Sequence, residues 1–404
     1  MYRLLMIVGL LFLTVNTTQV RAQESLTFPS SDSITLQCYK KGDWEKLITT
    51  GKESIKQHID FKWLRQRMGY AYFMKADYYA SEHHYEKALA FDSADTLTLT
   101  YLYYCGLYTA NDAYARYQAS KLPVNIQKRL VTKPLRIVDA LDCEYNYKIN
   151  SVTTRSNPGY YRMGIHSKPG YRLNLYQSFS TFAQNIDSAG IRQNEYFALL
   201  DYSLCSHISL KIGYHFLGTK VVDTSTYRIT NRNKRTVIDT TFYPGHLFYS
   251  NVSYRRNRID MVISASVLKH DSTWIQQYGI QAGVVLPGKL NIYLKSSLYG
   301  MFDPTTTRLV FSQSAGLLLF HSICAEGEVT VGNLKDFSEM NGLYIYNSTD
   351  ITTFRTGLTI FWYVTKKLTL FGNYSFNKKE YENTDNSTSS YNQHSMSSGI
   401  IWKI

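Results

Sequence analysis

The sequence predicts two unlike parts in series, a set of α-helical hairpins and then a transmembrane antiparallel β-barrel of about fourteen strands, with twelve as the alternative count. Three observations predict it. From about Arg136 to Ile404, segments are apolar at every second position and polar between. Between Ser33 and about Ser120 the period changes from that of a strand to that of a helix. Ahead of both stands a short apolar run of the kind that directs export.

The N-terminus comes first. Met1 to Arg3 supplies a basic start, Leu4 to Val15 is apolar, and Val20-Arg21-Ala22 offers small residues for cleavage, so residues 1–22 read as a secretory signal peptide. The run is too short for a bilayer-spanning helix of about 20 residues. No other stretch is apolar enough to span as a helix, so any embedding must be by a closed barrel, the other structure that satisfies its own backbone in lipid.

Residues 23–120 read as the helical domain. The turns Gly42-Asp43-Trp44 and Ala76-Asp77-Tyr78 recur 34 residues apart. The second copy, about 62 to 95, carries Met68-Gly69, Tyr72, Tyr85 and Ala88-Leu89 at the positions where the tetratricopeptide family has its Leu-Gly, Tyr, aromatic and Ala-Leu residues. This part therefore resembles tetratricopeptide repeats, with Ser81 and Ser93 departing from the family's Ala and Pro and Thr35 standing in the first copy where Gly69 stands in the second. A third copy, about 96 to 120, is cut short. Met68, Gly69, Tyr72, Tyr85 and Ala88 are expected to pack the seam between helices. The resemblance implies protein binding or spacing and no chemistry, which makes a periplasmic protein partner the expectation.

Residues 121–134, bordered by Pro123 and Pro134, read as a linker, and 135–404 as the barrel. The predicted strands are 136–148, 158–166, 171–183, 193–204, 208–218, 246–255, 258–268, 274–286, 289–300, 307–320, 322–332, 351–363, 367–379 and 391–404. Short turns are expected at 167–170, 205–207, 255–257, 287–288, 321–322 and 365–367, alternating with longer loops of which 219–245, 333–350 and 382–390 are the largest. An even count returns both ends of the barrel to one side. The final strand places Met396, Ser398, Ile400, Trp402 and Ile404 on one face and resembles the terminal strand read by barrel-insertion machinery, with Ile404 where Phe is usual.

Composition agrees. The 35 Tyr and 19 Phe suit interfacial aromatic girdles. The net charge of +13 is dispersed without a dense basic tract, which fits membrane lipid head groups and lipopolysaccharide phosphates and gives no reason to expect nucleic acid as a partner. The loop 220–235, with Arg228, Arg232, Lys234 and Arg235, is basic enough to meet such phosphates. Cys38, Cys105, Cys143, Cys205 and Cys324 are odd in number and lack metal spacing, so they read as isolated small apolar residues.

For chemistry, the inward positions are expected to include Asp142, Glu144, Asp201, Lys211, Asp260, Lys295, Glu326, Glu328 and Arg355, either as a selectivity lining or as ion pairs packed across a narrow barrel. Glu326 and Glu328 face one way but read as lumen charges, not an acid–base pair. His207, His215, His246 and His270 lie near serines without a Gly-x-Ser-x-Gly setting, and His58, His83 and His84 lack a zinc partner set. No catalytic residue, cofactor or metal is expected, and no enzyme. The layout as a whole resembles YaiO-type outer-membrane barrel proteins and the exporters of secreted polysaccharides, whose periplasmic tetratricopeptide arrays lead into a barrel pore. That resemblance implies a bacterial outer-membrane location, with the N-terminal domain in the periplasm, and a role in transport or envelope assembly. An occluded structural scaffold is the alternative, and a membrane-embedded hydrolase the third reading.

Overall fold

The computed structural model describes residues 26–109, 111–130, 136–186, 189–228, 234–270, 273–286, 290–320, 322–382 and 387–404. Residues 1–22, read from the sequence as a signal peptide, lie outside them.

Seven helices come first: α1 (Phe28–Lys41), α2 (Trp44–Lys56), α3 (Lys62–Met74), α4 (Tyr78–Leu89), α5 (Thr96–Tyr108), α6 (Asp112–Ala119) and α7 (Val124–Leu130). The repeated tripeptide of the sequence is one turn used twice. Gly42 and Ala76 both take left-handed φ, 73° and 57°, and each hands the chain to an aspartate that caps the next helix. Asp43 accepts from the Lys46 amide at 3.1 Å and Asp77 from the Ala80 amide at 3.2 Å, which satisfies amides that a helix start leaves free. Asp95 and Asn111 cap α5 and α6 in the same way.

Each of α1 to α5 packs on its successor, and one core forms from Leu47, Leu64, Met68 and Ala71 and another from Tyr85, Leu102, Cys105 and Tyr114. The close approach of α3 to α4 depends on Gly69, where a Cβ would stand 2.9 Å from the Tyr85 ring. Tyr85 and Ala88 are fully buried, and Tyr72 stacks on His84 with centroids 5.3 Å apart. The segment expected to be a linker continues helical as α7. Pro123 suits the start of a helix, where a missing amide costs no hydrogen bond, and its carbonyl accepts from Ile126 and Gln127.

The barrel strands are β1 (Arg136–Asn150), β2 (Gly159–Lys168), β3 (Leu173–Ile186), β4 (Ala189–Ser203), β5 (Ile208–Arg228), β6 (Lys234–Arg256), β7 (Ile259–His270), β8 (Thr273–Val285), β9 (Tyr293–Phe302), β10 (Thr307–Phe320) and β11 (Ile323–Gly332), then β14 (Ile351–Tyr363), β15 (Leu368–Glu382) and β16 (Thr388–Lys403). Between β11 and β14 lie two short strands, β12 (Ser338–Glu339) and β13 (Tyr344–Ile345), which pair only with each other. The other fourteen pair antiparallel in sequence order, β11 joins β14 directly, and β1 closes on β16 from Ala140 opposite Lys403 to Asn150 opposite Gln393.

The foreseen short turns at 167–170, 205–207, 255–257 and 365–367 lie at the end of the barrel that adjoins the helices. The opposite end carries the long connection 333–350, but the expected alternation of short and long is not strict: only two residues separate β3 from β4 and β7 from β8 there, while seven separate β8 from β9 at the helix end. Large apolar side chains stand exposed around the outer face, as at Met163, Phe179, Ile212, Ile263, Ile280, Leu309, Trp362 and Trp402. The expected loop 219–245 is largely strand. β5 and β6 stay paired from Ile208 opposite Tyr254 to Arg228 opposite Lys234, well past the last partners offered by β4 and β7. The β-branched runs 219–226 and 236–241 sustain that ladder although neither face is consistently apolar. The hairpin tip, 229–233, lies outside the described residues, as do the side chains through which the basic 220–235 stretch was expected to meet phosphate.

Candidate functional site

The site is the barrel interior. The connection from β11 to β14, residues 333–350, was expected to project outward as a polar loop; instead it turns in and fills the lumen. The turn is made at Gly332, with φ of 131°, where a Cβ would stand 2.5 Å from the Leu309 carbonyl oxygen, so no other residue fits. Leu334 and Phe337 then bury themselves inside the barrel against Leu247, Leu268, Met301 and Val310, and the Phe337 ring meets Tyr299 edge-on at 5.1 Å.

Polar contacts fix the rest of the segment to strands around the wall. The Ser338 amide donates to Gln277 at 2.9 Å and the Gln277 side-chain amide donates back to the Ser338 carbonyl at 2.9 Å. His215 Nδ1 donates to the Gly342 carbonyl at 2.8 Å, and Asn251 donates to the Asn341 side chain at 2.9 Å. The Tyr344 hydroxyl donates to Glu144 at 2.6 Å, and Arg162 holds the same carboxylate at 2.8 Å. Near its end, Asp350 is gripped by Arg155 through two bonds of 2.9 and 3.2 Å and by the Tyr391 hydroxyl at 2.7 Å. The segment thus touches both halves of the wall, and each buried polar group it brings finds a counterpart already facing inward.

The foreseen charges all point into the lumen, but they are not one array. Arg355 is central: it pairs with Glu328 across the wall at 2.9 Å and with Glu339 of the inserted segment at 2.6 Å, and it also meets the Tyr346 hydroxyl. Asp142 and Glu144 share Arg162, at 3.7 and 2.8 Å. Asp201 and Lys211 form a looser pair of 4.0 Å toward the helix end, Glu326 takes a hydrogen bond from the Tyr293 hydroxyl, and Lys295 lies over the Tyr293 ring at 5.1 Å. Asp260 faces inward opposite Gly283 without joining any of these groups. Ion pairs packed across the barrel describe the loop-side half better than an open lining does.

Beneath the barrel the helices sit against three consecutive turns. Arg258 donates to Asp77 at 2.6 Å, Arg255 donates to the Tyr79 hydroxyl at 2.8 Å and the Thr109 carbonyl at 2.9 Å, and Lys168 pairs with Asp112 at 2.6 Å. In the turn between β4 and β5, His207 Nε2 lies 3.2 Å from Glu86. Glu86 holds the imidazole's pKa above its ordinary value, while burial, with Glu86 beside it, pushes Glu82 up to about 8.

Sequence reasoning missed two things here. It missed the inward course of 333–350, although Leu334, Phe337, Met340, Leu343, Tyr344 and Tyr346 are too apolar for a solvated loop. It also missed the meeting of Glu82, Glu86 and His207, which only the tertiary fold brings together. The five cysteines are free thiols, with Cys38 and Cys105 buried in the helical cores. Among the described residues no serine hydroxyl is hydrogen-bonded to a histidine ring.

No protein-family model and no curated protein matches this chain. Solved structures similar to it include the P. putida toluene transporter TodX, at 5% identity and a TM-score of 0.44 over 69% of this chain and 92% of that one. They include a bacterial polysaccharide outer membrane secretin, at 10% identity and 0.37 over 67% and 99% of the two chains. A third is the KdgM porin in complex with disordered oligogalacturonate, at 8% identity and 0.32 over 65% and 99%. At these values the likeness carries nothing about cargo or mechanism to this chain.

Proposed function

We propose that the protein is a non-enzymatic outer-membrane transport barrel gated from within by residues 333–350. The exposed apolar belt around a polar interior supports the membrane setting, since an apolar surface of this extent is stable only against lipid. The observation that carries the gating reading is the way the inserted segment is held. Most of its anchors are ion pairs and hydrogen bonds, which water can replace once the segment leaves, and every group they free already faces a lumen fit to be wet.

On this reading, residues 1–22 direct export and the helices lie in the periplasm as tetratricopeptide-like hairpins that dock a partner protein. A groove of ≈ 750 Å³ between α1 and α2, with Lys41, Lys46, Lys52 and Lys56 outnumbering Asp43 and Glu53 on its walls, supports an acidic segment as the docked element. Deleting residues 24–120 should then abolish partner capture while leaving the barrel inserted.

The test of gating is conductance. The purified protein in planar bilayers should be nearly silent, and a variant with residues 335–348 replaced by a short Gly-Ser linker should conduct steadily. A deletion variant that keeps the heat-dependent gel mobility of a folded barrel yet passes no current defeats the gate. That result would favour an occluded scaffold, a reading with its own support in the dry cluster that Leu334 and Phe337 form with the wall.

A further inference from the structure

We propose that Glu82, Glu86 and His207 form a binding site for a divalent transition-metal ion of the zinc type, which staples helix α4 to the β4–β5 turn of the barrel. This inference stands apart from the transport reading, since it concerns the junction and not the lumen.

One ligand atom from each of the three residues lies within 4.8 Å of the other two. A tetrahedral zinc with bonds of about 2.1 Å needs ligand atoms about 3.4 Å apart, so no pair in the set has to draw in by more than about 1.4 Å. Glu82 and Glu86 are four apart on α4 and therefore share one face of it. Two carboxylates and an imidazole suit zinc and its neighbours in the first transition row, and leave a fourth position for water.

Two further observations point to a ligand. Glu82 is only 9% exposed and, among the described residues, has neither a hydrogen-bond partner nor an ion-pair partner, although it is aimed at Glu86 and His207. A buried carboxyl without a partner is costly, and a bound cation is one of the few groups that relieves it. The surroundings are also those of a ligand set. His207 Nδ1 is 3.0 Å from the Arg255 carbonyl, so that nitrogen donates there and Nε2 is turned to the glutamates, 3.2 Å from Glu86, where a metal ion would take the place of its proton. The Tyr114 hydroxyl donates to Glu86 Oε1 at 3.0 Å, fixing the carboxylate while its second oxygen stays free. The guanidinium of Arg255 beside the site is held by Tyr79 and Thr109 and bonds neither glutamate.

The full-length protein, purified in detergent without a polyhistidine tag, is stripped with EDTA and given zinc chloride. Mass-spectrometric metal analysis after buffer exchange should find one zinc per chain, and competition with a chromogenic chelator should show binding at least tenfold weaker in Glu82→Gln and in His207→Gln. Zinc should also slow tryptic cleavage between helices and barrel in the wild type and not in those variants. Heat-dependent gel mobility checks that each variant is folded. Cys205→Ser, altering the thiol of the same turn, should bind zinc as the wild type does. Wild-type protein that retains no zinc, variants that bind it undiminished, or loss of zinc in Cys205→Ser would each overturn the site.

Discussion

Replacing Arg355 with alanine should unlatch the barrel. The guanidinium joins a wall carboxylate, Glu328 at 2.9 Å, to a carboxylate of the inserted segment, Glu339 at 2.6 Å. Removing it leaves two like charges facing each other with nothing between them. Breaking one partner out of a buried ion pair costs about 3–5 kcal/mol. The three side chains are 16 to 22% exposed, so some water reaches them and the low end, about 3 kcal/mol, is the appropriate figure. At 1.4 kcal/mol per decade, that shifts the balance between inserted and withdrawn segment about a hundredfold. Planar-bilayer recordings should show the opening probability of Arg355→Ala raised by that factor, with Arg355→Lys in between. Lys211→Ala is the control, because Lys211 pairs with Asp201 toward the helix end and, among the described residues, shares no hydrogen bond or ion pair with the segment. Two results refute the reasoning: a folded Arg355→Ala barrel as silent as the wild type, or a Lys211→Ala barrel that opens equally often.

Three more expectations concern the helices. In Gly106→Ala the new Cβ would stand 2.8 Å from the Ala115 backbone nitrogen, which cannot rotate away, so the far-UV melt of the helical domain should lose about 1–3 kcal/mol, and more than Gly69→Ala, whose obstacle is the Tyr85 ring. His84 is buried, accepts from Arg65 at 3.2 Å, and has its pKa pushed down to about 3 by burial and by Arg65. Its stabilising contribution is therefore complete above the unfolded value near 6.5 and is lost as pH falls from there toward 3. The acid limb of the helical melt should be shallower in His84→Gln than in the wild type, and equal slopes would rule the assignment out; Glu82, whose shift has the opposite sign, is common to both proteins and cancels. Finally, Arg255→Ala with Arg258→Ala removes bonds to Tyr79, Thr109 and Asp77, and should speed tryptic separation of helices from barrel without altering the barrel's heat-dependent mobility.

The sequence made the barrel legible because a strand has a strict period and a membrane barrel allows few exceptions to it. Ile208 through Phe216 alternate in the chain as they do in the wall, and the fourteen segments found by that rule are the fourteen strands. The rule failed at the β5–β6 extension, where the runs 219–228 and 234–244 pair as a ladder although neither alternates apolar and polar in the sequence. It failed again at 333–350, since the length of a loop carries no sign of which way it folds. Charges were placed inward from alternation alone, but their partners could not be read. Glu328 finds Arg355 on the adjacent strand, whereas Glu144 finds Tyr344 two hundred residues away, on a segment whose destination only the closed barrel defines. The same limit hid the meeting of α4 with the turn at His207.

The inserted segment leaves one strand, β11, and returns to the next one in the wall, β14. Both of its ends are therefore moored side by side at the same rim, and it can only swing about them, away from the helices. A segment moored this way, acting as the proposed gate, would never be shed and would never drift to the other end of the barrel. Its tether is short enough to keep it near its own seat at a local concentration on the order of millimolar, so each opening should be followed by rapid return, with the open time set by recapture and not by supply.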